Sequence, residues 1–453
     1  MKIYAVKING LCNPIGYDFE IPLCSWKVQG IKGKKPLWTQ ISVAPDEEFQ
    51  QIAWEKKGNL NSLGEVLDFS LRPYTRYYFK VTVCSDLEEI LQSEVSFFET
   101  AKREEPWQAK WIGVNEGDTH PEFQKVFRTD KIIKSARLYI CGLGIFEASI
   151  NGNKVGNDLL APFINDYEEH FQYCTYDITG LLKEENTISV LLGDGWYRGH
   201  FGLGEPTHYD KPYALICELR ITYVDGSVET IGTDNDWSYR KSFTTLSDIY
   251  NGETQDYFGW QEKNWKQAVL IPSPGRLCER YSLPLHDMEK IPVKEVIHTP
   301  AGETVLDFGQ NFAGHVVCHE QIQKGVTMTL EFGEILQKGN FYHDNYRNAE
   351  SKFTYISDGV KREIRPRFTF FGFRYVKVSG LEHVDEALFE GRAIYSEMDQ
   401  TGYIRTGNEK INQLFSNSLW GLKSNFLDMP TDCPQRDERL GWTGDAQVFC
   451  TTA

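Results

Sequence analysis

Residues 432–445 read Asp-Cys-Pro-Gln-Arg-Asp-Glu-Arg-Leu-Gly-Trp-Thr-Gly-Asp. They gather Asp432, Asp437, Glu438 and Asp445 with Arg436, Arg439 and Trp442 on a stretch broken by Pro434 and Gly441. Such a set can cleave a glycosidic bond. That reaction needs one carboxyl that stays protonated until it donates to the leaving oxygen. It also needs a carboxylate that activates water or attacks carbon, with the pair about 6.5–9.5 Å apart for inversion or about 5–5.5 Å for retention. Crowded carboxylates raise one another's pKa, which predicts one acid held protonated near neutrality. Arg436 or Arg439 can orient a neighbour, and Trp442 offers a flat face to the C–H side of a sugar. The competing interpretation is a solvated, charge-paired loop between two helices, and spacing alone names no substrate.

Those side chains need elements to hold them. Near residue 400 the apolar period changes to that of a helix, with Asn408 as its cap and Ile411, Leu414, Phe415, Leu419, Leu422 and Phe426 on one face. The acidic loop follows, and Thr443 or Asp445 starts another helix. One helix and a fragment cannot bury that face alone, so the β domains or further chain must cover it.

Upstream the pattern is mainly β, and it predicts three consecutive antiparallel β-sandwich domains. Residues 1–103 read as a fibronectin-type sandwich, with strands at 77–84 and 94–100. Residues 104–285 read as a larger one, in which Asn151-Gly152 signals a type I′ hairpin and 213–223 alternates before an Asp225-Gly226 turn. Residues 286–397 supply strands at 304–308, 315–319, 326–332 and 373–378, and residues 398–453 carry the helices.

The 64 acidic against 48 basic residues give a net charge of −16, which repels nucleic acid and anionic membranes but admits a neutral ligand. No run of about 18 apolar residues exists to span a bilayer. The ten cysteines lack any CxxC pair and several lie in apolar strand patterns, which predicts free thiols and a cytoplasmic protein. Histidines show no zinc spacing, and neither metal nor organic cofactor is expected for hydrolysis. A thiol nucleophile at Cys433 is disfavoured, with no histidine near it in sequence.

Secondary signals are weaker. The Gly-rich loop 193–206 reads as a turn packing Trp196, with a wall of the active site or an accessory sugar site as the alternative. Asp307 and Asn311 read as stabilising a turn between strands. Glu331 and Glu334 read as an exposed strand edge, with an interdomain cleft as the alternative.

The 432–445 string closely resembles the signature of bacterial α-L-rhamnosidases, glycoside hydrolase family 78. Segments 192–199, 250–253, 307–311 and 371–375 are similar to that family in the same order. The resemblance implies β-sandwich domains ahead of an (α/α)₆ barrel and hydrolysis of terminal α-L-rhamnose with inversion. It implies Glu438 as general acid, Asp432 and Asp445 as ligands of the rhamnose hydroxyls, and Arg436 and Trp442 lining the same pocket. Rhamnose-containing glycosides are the implied partners. Some relatives bind rhamnose through calcium in the second sandwich, which makes Asn165 and Asp166 the oxygen ligands to inspect, although calcium takes about 6–8 oxygens. The general base is expected on a later barrel loop outside this chain, which then holds barely two of about twelve helices. The alternatives are a carbohydrate-binding protein without catalysis, and a barrel glycosidase for another sugar.

Overall fold

The computed structural model describes residues 2–30, 32–203, 208, 210–260 and 264–451. Gly204, Glu205 and Pro206 of the Gly-rich loop and the chain end at Ala453 lie outside the described residues. The described chain is mainly β, arranged in several sheets with few helices. No described helix is long and apolar enough to cross a membrane.

The first unit sets a three-stranded sheet (Lys2–Ile8, Leu23–Gln29, Glu65–Val66) beside a five-stranded one whose longest member is Arg76–Ser85. That strand alternates buried and half-buried residues, as period-2 burial requires. Tyr77, Phe79, Val81 and Val83 therefore join Ile41, Val43 and Phe98 in one core. The second unit places a six-stranded sheet against a seven-stranded one. Phe123, Ile188 and Val190 come from the former and Leu138, Ile140, Leu219 and Ile221 from the latter. The hairpin between Ile145–Ile150 and Asn153–Lys154 turns at Asn151 and Gly152, with φ of 53° and 78°, both in the left-handed region a type I′ turn requires.

In the third unit the strands join into one nine-stranded sheet. Three expectations change there. Strands Thr244–Asp248 and Gly252–Asp256, placed by sequence in the second segment, belong to this sheet, so residue 285 does not divide the sheets. The cause is a pairing of Gly252–Asp256 with Lys352–Ile356, a partner 100 positions later that no local pattern reveals. That pairing is parallel, as is His170–Asp177 with Arg276–Glu279, so the sheets are not purely antiparallel. The segments 304–308 and 315–319 are not two strands about a turn. They form one strand, Thr304–Cys318, with an irregularity between Asp307 and Phe312. Asp307 sits at that irregularity, accepting from the Gly309 amide at 2.6 Å and pairing with Arg374 through both carboxylate oxygens at 2.8 Å.

Three α-helices are described: α1 (Gly195–Arg198), α2 (Glu409–Ser424) and α3 (Thr443–Phe449). Asn408 caps α2, its side chain accepting from the Lys410 amide at 3.0 Å. The C-terminal half of α2 docks on the nine-stranded sheet. Ser424 Oγ accepts from the Ala313 amide at 3.3 Å, Lys423 reaches Glu289 at 2.5 Å, and Trp420 packs on the third core. Ile411 and Leu414, nearer the start of its apolar face, stay exposed at 48% and 65%.

Candidate active site

The acidic loop is closed at its neck. Phe426–Leu427 pairs with Met429–Pro430, Thr431 bridges Gly441, and the Asp432 amide donates to the Leu440 carbonyl at 3.0 Å. The Asp432 carboxylate returns the tie, accepting from the Leu440 amide at 3.0 Å. Pro434 lies against Gly372 of the nine-stranded sheet, where an added Cβ would come within 2.8 Å of its ring. A glycine at 372 thus lets the loop seat directly on the strand.

Arg439 fastens the loop. It is 1% exposed and adopts a φ of 46°. Its guanidinium donates to the carbonyls of Ile249 (2.8 Å), Phe370 (2.9 Å), Gln435 (2.7 Å) and Arg436 (2.9 Å), and to Ser351 Oγ (3.4 Å). It rests near the rings of Tyr250 and Phe370. Burial pushes its pKa down, yet a guanidinium stays charged in proteins. Main-chain carbonyls therefore solvate this cation, and the bonds to Ile249 and Phe370 stitch the loop to the turn after Thr244–Asp248 and to the residue ahead of Phe371–Ser379, both flanking strands of the nine-stranded sheet. Tyr250 adds a further stitch, donating to the Glu438 carbonyl at 3.2 Å while its hydroxyl accepts from the Gly202 amide.

Above this anchor the charged side chains meet. Arg436 donates from Nε to Glu438 Oε2 at 3.0 Å and from Nη2 to Asp432 Oδ2 at 3.0 Å. Arg347, from the nine-stranded unit, donates to Glu438 Oε2 at 3.1 Å and to Asp437 Oδ1 at 3.4 Å. The Asp432, Asp437 and Glu438 side chains are only 10%, 12% and 12% exposed. Burial raises the Glu438 carboxyl, but its bonds to Arg436 and then Arg347 more than reverse this and hold it below the usual glutamate range. The expectation of an acid kept protonated by neighbouring carboxylates is thus overturned for this state. Guanidiniums lie between the carboxylates, and opposite charge at hydrogen-bond distance outweighs like charge farther off.

Of the sequence-predicted residues, the structure brings Asp432, Arg436 and Glu438 together. Trp442 and Asp445 lie at the start of α3, Trp442 44% exposed, and among the described residues the Asp445 carboxylate makes no hydrogen bond or ion pair. Cys433 is buried, and burial, then its bond to Asp432, pushes its thiol up to about 11, which disfavours a thiolate nucleophile. Asp432, Cys433 and Glu438 lie close enough to share an ion, but the Arg436 guanidinium already holds both carboxylates. Of the two candidate calcium ligands, Asn165 Nδ2 donates to the Pro162 and Phe163 carbonyls while its Oδ1 accepts from the Gln172 amide on strand His170–Asp177, and Asp166 accepts from the Glu168 amide. Trp196 is buried in the second core on α1, as the packing interpretation of that loop expects.

Sequence reasoning missed Arg347 and the anchoring role of Arg439, and left Glu334 at a strand edge. Glu334 instead accepts from Asn311 (2.7 Å), Asn345 (3.2 Å) and Gln435 (3.1 Å), so it joins the acidic loop to the nine-stranded unit. Glu331 pairs with Lys377 at 2.6 Å. The signal available for Arg347 was only a polar run, 343–350, ahead of a strand.

Four family models match in succession. They are a Rha78A-like N-terminal immunoglobulin domain at residues 3–104, an α-L-rhamnosidase N-terminal domain at 131–293, a bacterial α-L-rhamnosidase concanavalin-like domain at 297–395, and a bacterial α-L-rhamnosidase 6 hairpin glycosidase domain at 399–453. An α-L-rhamnosidase of Formosa agariphila is 32% identical across 98% of this chain. The chain belongs to the α-L-rhamnosidase family. An α-L-rhamnosidase of Alteromonas sp. (strain LOR) is 30% identical across 97% of the chain. In each case the chain spans 52% of the relative's own length. The structure of α-L-rhamnosidase from Dictyoglumus thermophilum superposes over 100% of this chain and 55% of its own, with a TM-score of 0.89 and 31% identity. That of Streptomyces avermitilis, solved in complex with L-rhamnose, shares the fold over 100% of this chain and 63% of its own, with a TM-score of 0.92 and 23% identity.

Proposed function

We propose that this chain supplies the acid side of a glycoside hydrolase site that removes terminal α-L-rhamnose from rhamnosides, with Glu438 as general acid. The observation that carries this is the shared guanidinium of Arg436, which holds the Glu438 and Asp432 carboxylates side by side on a loop pinned beside strands of the nine-stranded sheet. Asp432 accepts sugar hydroxyls in this reading. Asp445 does the same from the first turn of α3, and the exposed ring of Trp442 stacks on the sugar. In the reaction Glu438 passes its proton to the glycosidic oxygen as the bond from that oxygen to C1 breaks. Water adds to C1 from the opposite face and releases β-L-rhamnose, the inverting outcome the family resemblance implies. The resemblance assigns the water's proton to a glutamate on a later barrel loop, in the helical part that begins near residue 398.

At rest, Glu438 is an ionised carboxylate paired with two arginines. It must therefore take up a proton as the rhamnoside binds. A neutral sugar that occupies Asp432 competes for Arg436, loosening one of the two pairs that hold Glu438 deprotonated. Hydrolysis of 4-nitrophenyl α-L-rhamnoside by the protein at its full length, followed by proton NMR of the first sugar formed, tests the reading. Rhamnose released first as the β anomer supports it. Release of the α anomer would refute inversion, and neither hydrolysis nor binding of L-rhamnose by calorimetry would refute the substrate.

A further inference from the structure

We propose that Arg347, contributed by the nine-stranded unit and not by the signature loop, is a positioning residue that fixes the orientation of the Glu438 carboxylate. The proposal rests on Glu438 being the general acid.

Arg436 lies two residues away on the same loop, so its bond ties Glu438 only to that loop. Arg347 ties it to a separate segment. It follows Tyr346, which is fully buried and whose hydroxyl bonds to the Gly372 carbonyl, and it precedes buried Ala349. From that fixed segment its two terminal nitrogens divide between neighbouring carboxylates, Nη2 on Glu438 Oε2 at 3.1 Å and Nη1 on Asp437 Oδ1 at 3.4 Å. The next amide, of Asn348, donates to the other Asp437 oxygen at 3.4 Å. Successive side chains on an irregular loop have no intrinsic reason to turn toward one cation, so this clamp sets their arrangement. Arg347 itself sits at φ 60° and ψ −116°, a conformation L side chains rarely adopt and one that persists only when surrounding contacts impose it. Its side chain is still 44% exposed, which leaves the guanidinium accessible beside the proposed acid.

A merely structural ion pair at such exposure leaves the chemistry untouched. A positioning role gives a different signature. With glutamate carboxyls labelled in ¹³C, the Glu438 resonance is the one missing from Glu438→Gln. Its titration in the wild type, Arg347→Gln and Arg347→Lys then reads the contact itself, and the dependence of turnover on the leaving group reads the positioning. Arg347→Gln is expected to raise the Glu438 titration by about half a unit to one unit, with Arg347→Lys in between. In turnover, Arg347→Gln is expected to lower kcat/KM about tenfold on an alkyl rhamnoside, whose leaving group needs the acid. On 4-nitrophenyl rhamnoside the loss should be under about threefold. An unmoved Glu438 titration in Arg347→Gln overturns the proposal, as does loss of the fold in both variants. Absence of any rhamnoside turnover would instead fail the functional reading, and the titration would still decide whether Arg347 holds the Glu438 carboxylate.

Discussion

Arg436 and Glu438 close on each other across a single intervening residue, Nε to Oε2 at 3.0 Å, and the same guanidinium reaches Asp432 at 3.0 Å. The loop is therefore a chain of alternating charges and not a cluster of acids. Its resting state favours an ionised Glu438, and the functional question becomes how substrate returns the proton.

The first consequence concerns pH. Glu438 titrates below its unfolded value of about 4.3, so its contribution to stability is present above that pH and is lost as pH falls through the folded value. The melting-temperature difference between wild type and Glu438→Gln should thus shrink from pH 6 toward pH 3. A difference that stays constant or widens would show that the arginine pairs do not stabilise the ionised form.

Arg439 offers a sharper test of how the loop is held. Arg439→Met keeps much of the volume but strands the carbonyls of Ile249, Phe370, Gln435 and Arg436. Each unsatisfied buried acceptor costs about 1–3 kcal/mol, so a loss of at least about 2 kcal/mol is expected in urea unfolding. A loss below about 0.5 kcal/mol would mean the loop is seated by other contacts.

Asp428 carries the opposite sign. Burial pushes its carboxyl up to about 6, although one oxygen accepts from the Ile164 amide at 2.9 Å. Among the described residues the other oxygen is buried without a hydrogen bond. A raised acid stabilises the fold below its unfolded pKa of about 3.9, and that contribution fades as pH rises to the folded value. Asp428→Asn keeps an acceptor for Ile164 without the charge. It should be more stable than wild type by about 1–3 kcal/mol at pH 8 and near equal at pH 4. Equal stability at both would refute the buried-charge cost.

Much of this was legible from sequence where the cause is local. Asn408 caps α2, Asn151-Gly152 turns a hairpin and the strand around residues 77–84 alternates, because each depends on neighbours a few positions away. The acidic loop was legible as a carrier of chemistry for the same reason. What sequence could not supply is which distant group each charge meets. Glu438 looked like a member of an acidic crowd, yet Arg347, 91 positions upstream, is one of its two cations. Arg439 looked like a partner for a carboxylate, and its partners include carbonyls of its own loop and those of Ile249 and Phe370, 190 and 69 positions upstream. The parallel pairing of Gly252–Asp256 with Lys352–Ile356 was hidden likewise, since strand composition does not name a neighbour.

The central claim is that Glu438 donates the proton to the departing glycoside oxygen. Its most direct test compares Glu438→Gln with wild type, at the protein's full length, on an alkyl and a 4-nitrophenyl α-L-rhamnoside. The expected fall in kcat/KM is about 10²–10⁴-fold on the alkyl substrate and clearly smaller on 4-nitrophenyl, whose leaving group needs little protonation. Equal losses on both substrates, or a variant that keeps wild-type rates, would contradict it.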